Sequence, residues 1–359
     1  TLKKKIYFII PDLRCGGAEK VFINLANNWV KFHDISFILM NKKGEMLKDL
    51  HSQINIIDLN ITKLRYFFPK LIKIFKKNNN AYFISAMWPL NTIVLLASLF
   101  SKKNNNFFIT EHINLSKSIG VDFSVPKFLL KLSISFSYIF AKKIICVSEG
   151  VRRDLIKLSF LNLNNKIVTI YNPLVTKIPI LKSKKNKKTF LLSVGTLKKQ
   201  KNHKLILDCL KLIDNKDNYH LDIVGDGPLL DELKDYSTKL GITKYVTFHG
   251  YKRNLENYYN NSDIFILSSI YEGFGNVLVE ALSYGLKIIS TDCEDGPKEI
   301  LENGKFGILI PTNNPLSMKK ALMDIQDVNF SRLELQERSK KFEVGAISEL
   351  YLKNMGIIK

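Results

Sequence analysis

Short, continuous runs of apolar residues recur along the whole chain and are separated by stretches with helical periodicity. Examples are KIYFII and ISFILM in the first half, and FLLSVG and DIFILSS in the second. Such runs lack polar alternation, which is typical of parallel strands covered by helices on both faces. The pattern occurs twice and therefore predicts an α/β fold with two Rossmann-like, doubly wound domains, which would face each other across an interdomain cleft.

The segment 172–188 separates the two halves with two prolines and a cluster of lysines. It has no strand or helix periodicity, so we predict that it is the linker. A length of 359 residues also favours two domains, because a single hydrophobic core rarely grows that large. We predict domains at 1–175 and 176–342, and a final helix at about 343–359 that could pack back on the first domain.

The charge balance is unusual, with a formal net charge of +21. It implies an anionic partner such as nucleic acid, a phosphorylated ligand or an anionic membrane, although a generally lysine-rich surface would give the same value. The four scattered cysteines form no CxxC pair, which argues against zinc and disulfides and fits a reducing cytoplasm. No apolar run is long enough to cross a bilayer, and the apolar start IYFII is too short for a signal peptide.

Glycine turns follow three of the predicted strands, at Gly16 and Gly17, at Gly195 and at Gly225. Backbone N–H groups at such turns can bind a phosphate or a polar substrate, but turns of this kind are also common without a ligand. The full GxGxxG fingerprint is absent, which counts against a nicotinamide enzyme. Lysines after Gly195 could bind a diphosphate or could simply form a solvated loop.

The stretch YEGFGNVLVEAL begins a helix after a strand and carries two carboxylates. Glu272 precedes the Gly-Phe-Gly turn, and Glu280 lies about one turn inside the helix. The helix start can bind an anion. The spacing therefore favours a nucleotide diphosphate on the amides and sugar hydroxyls on the carboxylates, although an acid near a helix start can merely stabilise the helix dipole.

Several segments, in the same order along the chain, resemble those of GT4-type glycosyltransferases with the GT-B fold: GGAE, EH, VSEG, YNP, VGTLKKQKN, IVGDGP, EGFGNVLVEA and STDCEDGPKEIL. The resemblance implies that Glu280 holds the donor ribose, that Glu272 lies by the transferred sugar, and that Lys201 contacts the donor phosphates. The other donor-binding residues that it implies are Gly195, Thr196, Gly225, Gly273, Phe274, Gly275, Asn276 and Val277.

The resemblance also implies a catalytic set of His112, Glu272 and Lys201. Thr196 departs from the family, which has an arginine there, because threonine offers neither charge nor a bidentate fork. Either Lys198 or Lys199 compensates, or the donor is held less tightly. A non-catalytic nucleotide-binding scaffold therefore stays open, and a basic nucleic-acid-binding protein is a less favoured alternative.

The stretch KLRYFFPKLIKIFKK (63–77) has aromatic residues at helical spacing and a lysine-rich remainder. It is typical of a helix at a membrane surface or one that recognises a polyprenyl diphosphate, and a core-facing helix with solvated lysines explains it equally well. A second aromatic-rich stretch, 123–143, has few charges until its end and could either dip into a bilayer surface or form a buried helix. The candidate acceptor-binding residues are Gly16, Gly17, Lys70 and Lys73.

The resemblance implies retaining transfer of a hexose or N-acetylhexosamine from a UDP-sugar. The expected acceptor is a lipid-linked saccharide or lipopolysaccharide in bacterial glycan or surface-polysaccharide assembly, reached peripherally at the inner face of the cell membrane. The sequence has no DxD pair to hold a divalent cation, so we expect no metal. We also expect no other cofactor and no nucleic-acid partner.

Overall fold

The computed structural model describes residues 3–14, 16–121, 124–175, 188–293 and 296–358. The chain forms two compact units, Thr1–Val175 with Phe342–Lys359, and Thr176–Lys341. Each unit contains one parallel β-sheet with helices between its strands. The predicted class, two Rossmann-like halves of the GT-B type, is confirmed.

Up to residue 175, the described part of the first unit contains a seven-stranded sheet and six α-helices. Its strands are β1 (Lys5–Ile10), β2 (Asp34–Leu39), β3 (Asn55–Asp58), β4 (Ala81–Ala86), β5 (Asn106–Glu111), β6 (Lys143–Cys146) and β7 (Ile167–Thr169). Its helices are α1 (Gly17–Trp29), α2 (Phe67–Lys77), α3 (Leu90–Ser98), α4 (Leu115–Ser118), α5 (Lys127–Ser137) and α6 (Glu149–Leu158). The strand order is β3-β2-β1-β4-β5-β6-β7.

The second unit has a six-stranded sheet in the order β10-β9-β8-β11-β12-β13. Its strands are β8 (Thr189–Val194), β9 (Tyr219–Val224), β10 (Val246–Phe248), β11 (Ile264–Leu267), β12 (Lys287–Thr291) and β13 (Ile308–Ile310). Its helices are α7 (Lys204–Leu212), α8 (Leu230–Lys239), α9 (Glu256–Asn261), α10 (Asn276–Ser283), α11 (Gly296–Ile300), α12 (Pro315–Asp327) and α13 (Arg332–Lys340).

Apolar strand residues pack against apolar helix faces to form the two cores. In the first unit, the ring of Phe8 on β1 stacks on Phe37 of β2 at 5.2 Å and on Trp29 of α1 at 5.6 Å. Because both faces of these strands are covered, they have the continuous apolar sequences from which parallel sheets were predicted.

The last helix, α14 (Val344–Asn354), packs on the first unit. The Tyr351 ring lies 6.4 Å from that of Trp29, and the Ser348 hydroxyl donates to Asn28 Oδ1 at 2.8 Å. Leu174 N–H donates to the Phe342 carbonyl at 2.9 Å, so that Phe342 is already part of the first unit. Residues 176–187, most of the predicted linker, lie outside the described residues.

The order of strands reverses beside β1 in the first sheet and beside β8 in the second. In open parallel sheets, ligands bind outside the carboxyl ends of the strands at such reversal points. The loops after β1 and β8, and after their neighbours β4 and β11, are therefore where a site is expected. Among the described residues, no helix is long and apolar enough to span a bilayer.

Candidate active site

Lys201 and Glu272, 71 positions apart in the sequence, form an ion pair in the second unit. Lys201 Nζ lies 2.6 Å from Glu272 Oε1, and the two side chains are only 19% and 8% exposed. The Ser269 hydroxyl donates to the same carboxylate oxygen at 2.6 Å. The folded chain therefore brings together two of the three predicted catalytic residues, after β8 and β11.

Hydrogen bonds between the loops after β8 and β11 fix the position of this pair. Ile270 N–H donates to the Gln200 carbonyl, and Gln200 Nε2 donates back to the Tyr271 carbonyl, both at 2.8 Å. The Ser268 hydroxyl donates to the carbonyl of Lys201 at 2.7 Å. Because Lys201 and Glu272 are carried by loops bonded to each other, their separation is set by the backbone and not by side-chain reach alone.

The Gly-Phe-Gly turn is buried directly before α10. Gly275 is the N-cap and has φ of +100°, a conformation that favours glycine. Phe274 is buried, and the start of α11 approaches its backbone so closely that a Cβ on Gly296 would lie 1.9 Å from the Phe274 carbonyl oxygen. Two helix starts thus meet at this turn, where N–H dipoles favour an anion.

Glu280 lies inside α10 and accepts a hydrogen bond from the Tyr259 hydroxyl at 2.8 Å. The Tyr259 ring stacks on that of Tyr284 at 5.0 Å. Burial and the neighbouring carboxylate hold the pKa of Tyr259 well above its ordinary value, so that its hydroxyl stays protonated and can donate. The orientation of the Glu280 carboxylate is therefore set by the aromatic pair.

The glycine turns after β8 and β9 pack against each other. A Cβ on Gly225 would lie 1.9 Å from the carbonyl oxygen of Gly195, and Gly195 N–H donates to the Val224 carbonyl at 3.0 Å. Thr196 is exposed beside this contact, Lys199 is exposed and Lys198 is half-buried. The turns are thus close enough to exclude side chains, and the uncharged Thr196 precedes Lys198, Lys199 and Lys201 in the same loop.

His112 follows β5 in the first unit and is almost fully buried. Thr110 Oγ1 lies 3.1 Å from the Ser85 carbonyl oxygen and 2.9 Å from His112 Nε2, and the hydroxyl has a single hydrogen to donate. Because a carbonyl only accepts, satisfying both contacts requires Thr110 to donate to Ser85 and Nε2–H to donate to Thr110. The bare lone pair of the ring is then on Nδ1.

This Nδ1 atom is buried and has no hydrogen-bond partner within the described part of the chain. Burial lowers the pKa of His112 to about 3, so the ring is neutral at physiological pH. A buried acceptor without a donor is uncommon in a folded protein. The geometry therefore presents His112 as a hydrogen-bond acceptor and not as a cation.

Glu111, the residue before His112, is fully buried. Its Oε1 accepts from Asn91 Nδ2 at 2.7 Å and from the hydroxyl of Tyr138, and burial raises its pKa to about 7. Its contacts tie the end of β5 to α3 and to the segment after α5. Glu111 thus holds the backbone that carries His112.

Gly16, in the Gly16–Gly17 turn, is the N-cap of α1 and has no side chain that could accept a hydrogen bond from the first turn of the helix. A Cβ on Gly16 would lie 2.1 Å from Glu19 Oε2, so the carboxylate of Glu19 fills the space that the glycine leaves. Burial raises the pKa of Glu19 to about 7. This loop therefore presents a polar, nearly enclosed carboxyl group beside the helix start.

Lys70 and Lys73 lie on the exposed side of α2. The opposite side of the helix carries Phe67, Leu71 and Phe75, all fully buried. The apolar half of 63–77 therefore belongs to the core, and the lysines form its outer face. Lys70 Nζ donates to the Leu59 carbonyl at 3.1 Å, and Lys73 has an exposed side chain.

In the second unit the structure brings together the predicted residues Lys201, Glu272 and Gly195. A Cβ placed on Gly195 would lie 3.6 Å from Cε of Lys201. His112, Lys70 and the Gly16–Gly17 turn belong to the first unit. No cluster of three or more metal-ligating side chains occurs in the ranges that the structure describes.

Two family models match consecutive halves of the chain. The model described as Glycosyltransferase Family 4 matches residues 15–177, and the model described as Glycosyl transferases group 1 matches residues 177–342. The chain is a GT4 glycosyltransferase.

Curated relatives of this glycosyltransferase include two from Campylobacter jejuni. One, a GalNAc-α-(1→4)-GalNAc-α-(1→3)-diNAcBac-PP-undecaprenol α-1,4-N-acetyl-D-galactosaminyltransferase, is 27% identical over 99% of both chains. The other, an N-acetylgalactosamine-N,N'-diacetylbacillosaminyl-diphospho-undecaprenol 4-α-N-acetylgalactosaminyltransferase, is 28% identical over 94% of both.

Solved structures with the same fold include HepE from Anabaena in complex with UDP and glucose. It superposes with a TM-score of 0.83 at 18% identity, over 99% of the present chain and 100% of HepE. The lipopolysaccharide outer core galactosyltransferase WaaB superposes with a TM-score of 0.76 at 22% identity, over 98% of the present chain and 99% of WaaB. Both likenesses concern the fold.

Sequence reasoning missed the residues that orient the predicted site of the glycosyltransferase. Ser269 bonds Glu272, Tyr259 bonds Glu280, and Thr110 bonds His112. Thr110 and Ser269 lie within three positions of their partners and could have been considered as neighbours. Tyr259 lies 21 positions from Glu280, and no spacing rule connects the two.

Proposed function

We propose that this glycosyltransferase transfers a hexose or N-acetylhexosamine from a UDP-sugar, with retention, to a lipid-linked saccharide in bacterial glycan or surface-polysaccharide assembly. The observation that carries the proposal is the buried Lys201–Glu272 pair in the same loop system as the Gly-Phe-Gly turn before α10. A cation, a carboxylate and a helix start are what a nucleotide diphosphate and its sugar require.

The donor is assigned to the second unit. The start of α10 receives the diphosphate, Lys201 balances its charge, and Glu280 binds the ribose hydroxyls. A UDP-sugar is favoured because HepE has been crystallised with UDP and with UDP-glucose. When a diphosphate binds, Lys201 is shared between it and Glu272, so that the carboxylate becomes available to a sugar hydroxyl.

In the transfer step the bond between the anomeric carbon and the β-phosphate oxygen breaks, and the acceptor oxygen forms a new bond to the same face of that carbon. The acceptor hydroxyl proton passes to the leaving diphosphate, which becomes free UDP. The charge that develops on the diphosphate is stabilised by Lys201 and by the N–H groups at the start of α10. His112 Nδ1, a neutral acceptor in the first unit, accepts a hydrogen bond from a hydroxyl of the acceptor saccharide and takes no proton.

The acceptor is assigned to the first unit. The Campylobacter relatives act, by their names, on undecaprenol-linked saccharides. The outer face of α2 carries Lys70 and Lys73 and can bind the diphosphate of such a lipid or the anionic headgroups around it. The enzyme would then work peripherally at the inner face of the cell membrane, with a nucleotide-sugar as its soluble partner and with no nucleic acid.

A nucleotide-binding scaffold without turnover is the second candidate. The exposed, uncharged Thr196 favours it, because the site lacks the bidentate cation that the family has there. The two candidates differ in turnover and not in nucleotide binding.

Thermal unfolding with UDP, GDP and ADP tests the donor assignment. A nucleotide at about 100 times its Kd stabilises by ~2.7 kcal/mol, which raises the unfolding temperature by roughly 5–10 °C for a unit of this size. We expect this shift with UDP only, and expect Glu280→Ala to lose it. Glu334→Ala, an exposed acid in the same unit, is the matched control. Absence of any nucleotide response would contradict the proposal.

Transfer to an undecaprenyl-diphosphate saccharide tests the acceptor assignment. We expect the triple variant Lys70→Gln, Lys73→Gln, Lys76→Gln to lose transfer while keeping the UDP response. A control triple variant removes exposed lysines of the second unit: Lys211, Lys239 and Lys320. Equal transfer by both triple variants would contradict a role for α2. UDP binding without transfer to any acceptor would favour the scaffold.

A further inference from the structure

Helix α5 is apolar on two opposite sides, and only one of them is covered. Leu130 and Ile134 are buried, whereas Phe128 and Phe136 are 62% and 61% exposed. At 100° per residue, Phe128, Leu129, Leu132 and Phe136 fall within an arc of about 100°. This arc is as wide as the buried stripe of an ordinary surface helix.

Helix α3 continues the same surface. The Ser137 hydroxyl of α5 donates to Thr92 Oγ1 of α3 at 3.2 Å, so the two helices are neighbours. Leu96, Leu99 and Phe100, at the end of α3, are exposed. We call the whole set the apolar face; its exposed members are Leu96, Leu99, Phe100, Phe128, Leu129, Phe136, Phe140 and Phe160.

Ring contacts join the outlying members of the apolar face. The Phe128 and Phe160 rings lie 6.3 Å apart, and the Phe100 ring lies 6.2 Å from Phe68 of α2. The apolar face therefore extends from the 160 turn across α5 and α3 to the lysine-bearing α2. Isolated exposed apolar side chains are ordinary, but eight of them on two neighbouring helices and the adjoining segments are more than a scattered set and indicate a binding surface.

The segment that carries most of the apolar face is strongly basic. Residues 59–148 contain thirteen lysines and arginines and two acids, a net charge of +11 with histidine neutral, and one of those acids is the buried Glu111. Lys102 and Lys103 follow Phe100 after one intervening residue, Ser101. The Lys131 ammonium lies 5.1 Å from the centre of the Phe160 ring.

We propose that the apolar face inserts into the boundary between headgroups and acyl chains of an anionic bilayer, with the surrounding lysines on lipid phosphates. Exposed aromatic residues bordered by lysines have the composition of an interfacial membrane anchor. The inference deepens the proposed function, and rests on it to the extent that a lipid-linked acceptor would bring the enzyme to a membrane.

A second copy of this chain fits the apolar face less well than a bilayer. Pairing the face with itself would bring together two copies of a segment with a net charge of +11, and like charges facing each other across an interface oppose association. An anionic leaflet attracts the same lysines and accepts the aromatic rings. Charge therefore selects the bilayer.

Flotation with vesicles of phosphatidylethanolamine and phosphatidylglycerol tests the inference. The double variant Phe128→Ser, Phe136→Ser should lower the partition coefficient on the order of tenfold for each ring removed. Phe32→Ser removes a ring of similar exposure, 65%, from the turn after α1 and should leave binding unchanged. Unchanged unfolding temperature of the double variant, with and without UDP, shows that both units remain folded.

Depth of insertion is read from a second pair of variants, Phe136→Trp and Phe32→Trp. With lipids brominated in their acyl chains, the added fluorescence of Phe136→Trp should be quenched and that of Phe32→Trp should not. The two native tryptophans contribute the same background to both. Equal quenching, or wild-type flotation by the double serine variant, would overturn the inference.

Two further outcomes distinguish this inference from the proposed function and from self-association of the chain. Vesicle binding that depends on Phe128 and Phe136, in a protein that does not respond to UDP, would refute the proposed function and leave the inference standing. Loss of self-association in the double serine variant, with vesicle binding intact, would overturn the inference in favour of a second copy.

Discussion

Replacing Lys201 by methionine should destabilise the second unit far more than an ordinary lost ion pair. Methionine keeps the length of the side chain and removes the ammonium, which leaves the Glu272 carboxylate, 8% exposed, with a hydrogen bond from the Ser269 hydroxyl. Breaking a buried pair by removing one partner costs about 3–5 kcal/mol. We expect the lower end, about 3 kcal/mol, because Lys201 is 19% exposed and the Ser269 bond is retained.

The assay is differential scanning calorimetry of the full chain without ligand. For a unit of this size, 3 kcal/mol corresponds to a fall of about 6–12 °C in its unfolding temperature. A double-mutant cycle with Glu272→Gln isolates the pair: the double variant should be more stable than the sum of the single effects indicates, by roughly 1.5 kcal/mol or more.

Lys204→Met provides the matched control. Lys204 Nζ lies 2.5 Å from Glu232 Oε1, as close as the buried pair, but the two side chains are 44% and 52% exposed. Solvent screens such pairs, so the unfolding temperature should stay close to that of the wild type. A Lys201→Met variant that behaves like Lys204→Met, or single effects that simply add in the double variant, would refute the reasoning from burial.

Three other predictions concern the two sheets. Gly225→Ala should cost about 3 kcal/mol or more in urea unfolding, because its Cβ would lie 1.9 Å from a backbone oxygen and its φ is +149°. Thr110→Val should change the ¹⁵N NMR shifts of the His112 ring, because Nε2–H loses its acceptor. Glu111→Gln should flatten the pH dependence of stability: the folded protein keeps a proton up to about pH 7 that the unfolded chain releases near 4.5, so wild-type stability falls by roughly 3 kcal/mol as pH rises across that window.

Each of these three has its own control. Gly241→Ala should cost only about 1 kcal/mol, since Gly241 has φ of +68° and open space around its Cβ position; an equal cost at both glycines would refute the clash. Thr110→Ser should restore the wild-type ring shifts, and unchanged shifts in Thr110→Val would disprove the tautomer. Glu19, with the same direction of pKa shift, should leave a residual slope in Glu111→Gln, and an undiminished slope would show that Glu111 does not titrate as described.

The fold could be predicted from the sequence because strands that are buried on both faces have continuous apolar sequences. Continuous apolar runs marked the strands, and their repetition marked two sheets. The contacts of Lys201 with Glu272 were not predictable, because a 71-residue separation gives no local pattern. A family resemblance placed both residues near the donor but did not indicate that they bond each other.

The stretch 63–77 shows why periodicity alone left its two alternatives open. Phe67, Leu71 and Phe75 follow a helical period that is the same for a core helix and a membrane helix. Only the structure distinguishes them, since these three side chains lie in the core. Helix α5 differs from α2. Leu130 and Ile134 form its buried side, whereas Phe128 and Phe136 are exposed to solvent.

The return of α14 to the first unit has a consequence for the order in which the protein matures. Trp29 contacts Tyr351, so a hydrophobic core that begins with the first strand is completed only by residues translated more than three hundred positions later. The ribosome therefore synthesises the whole second unit before it adds the helix that completes the first. Until the last eleven-residue helix arrives, the surface around Trp29 is open to water and to chaperones, and a chain that stops near Lys341 has one sheet complete and the other with an uncovered core.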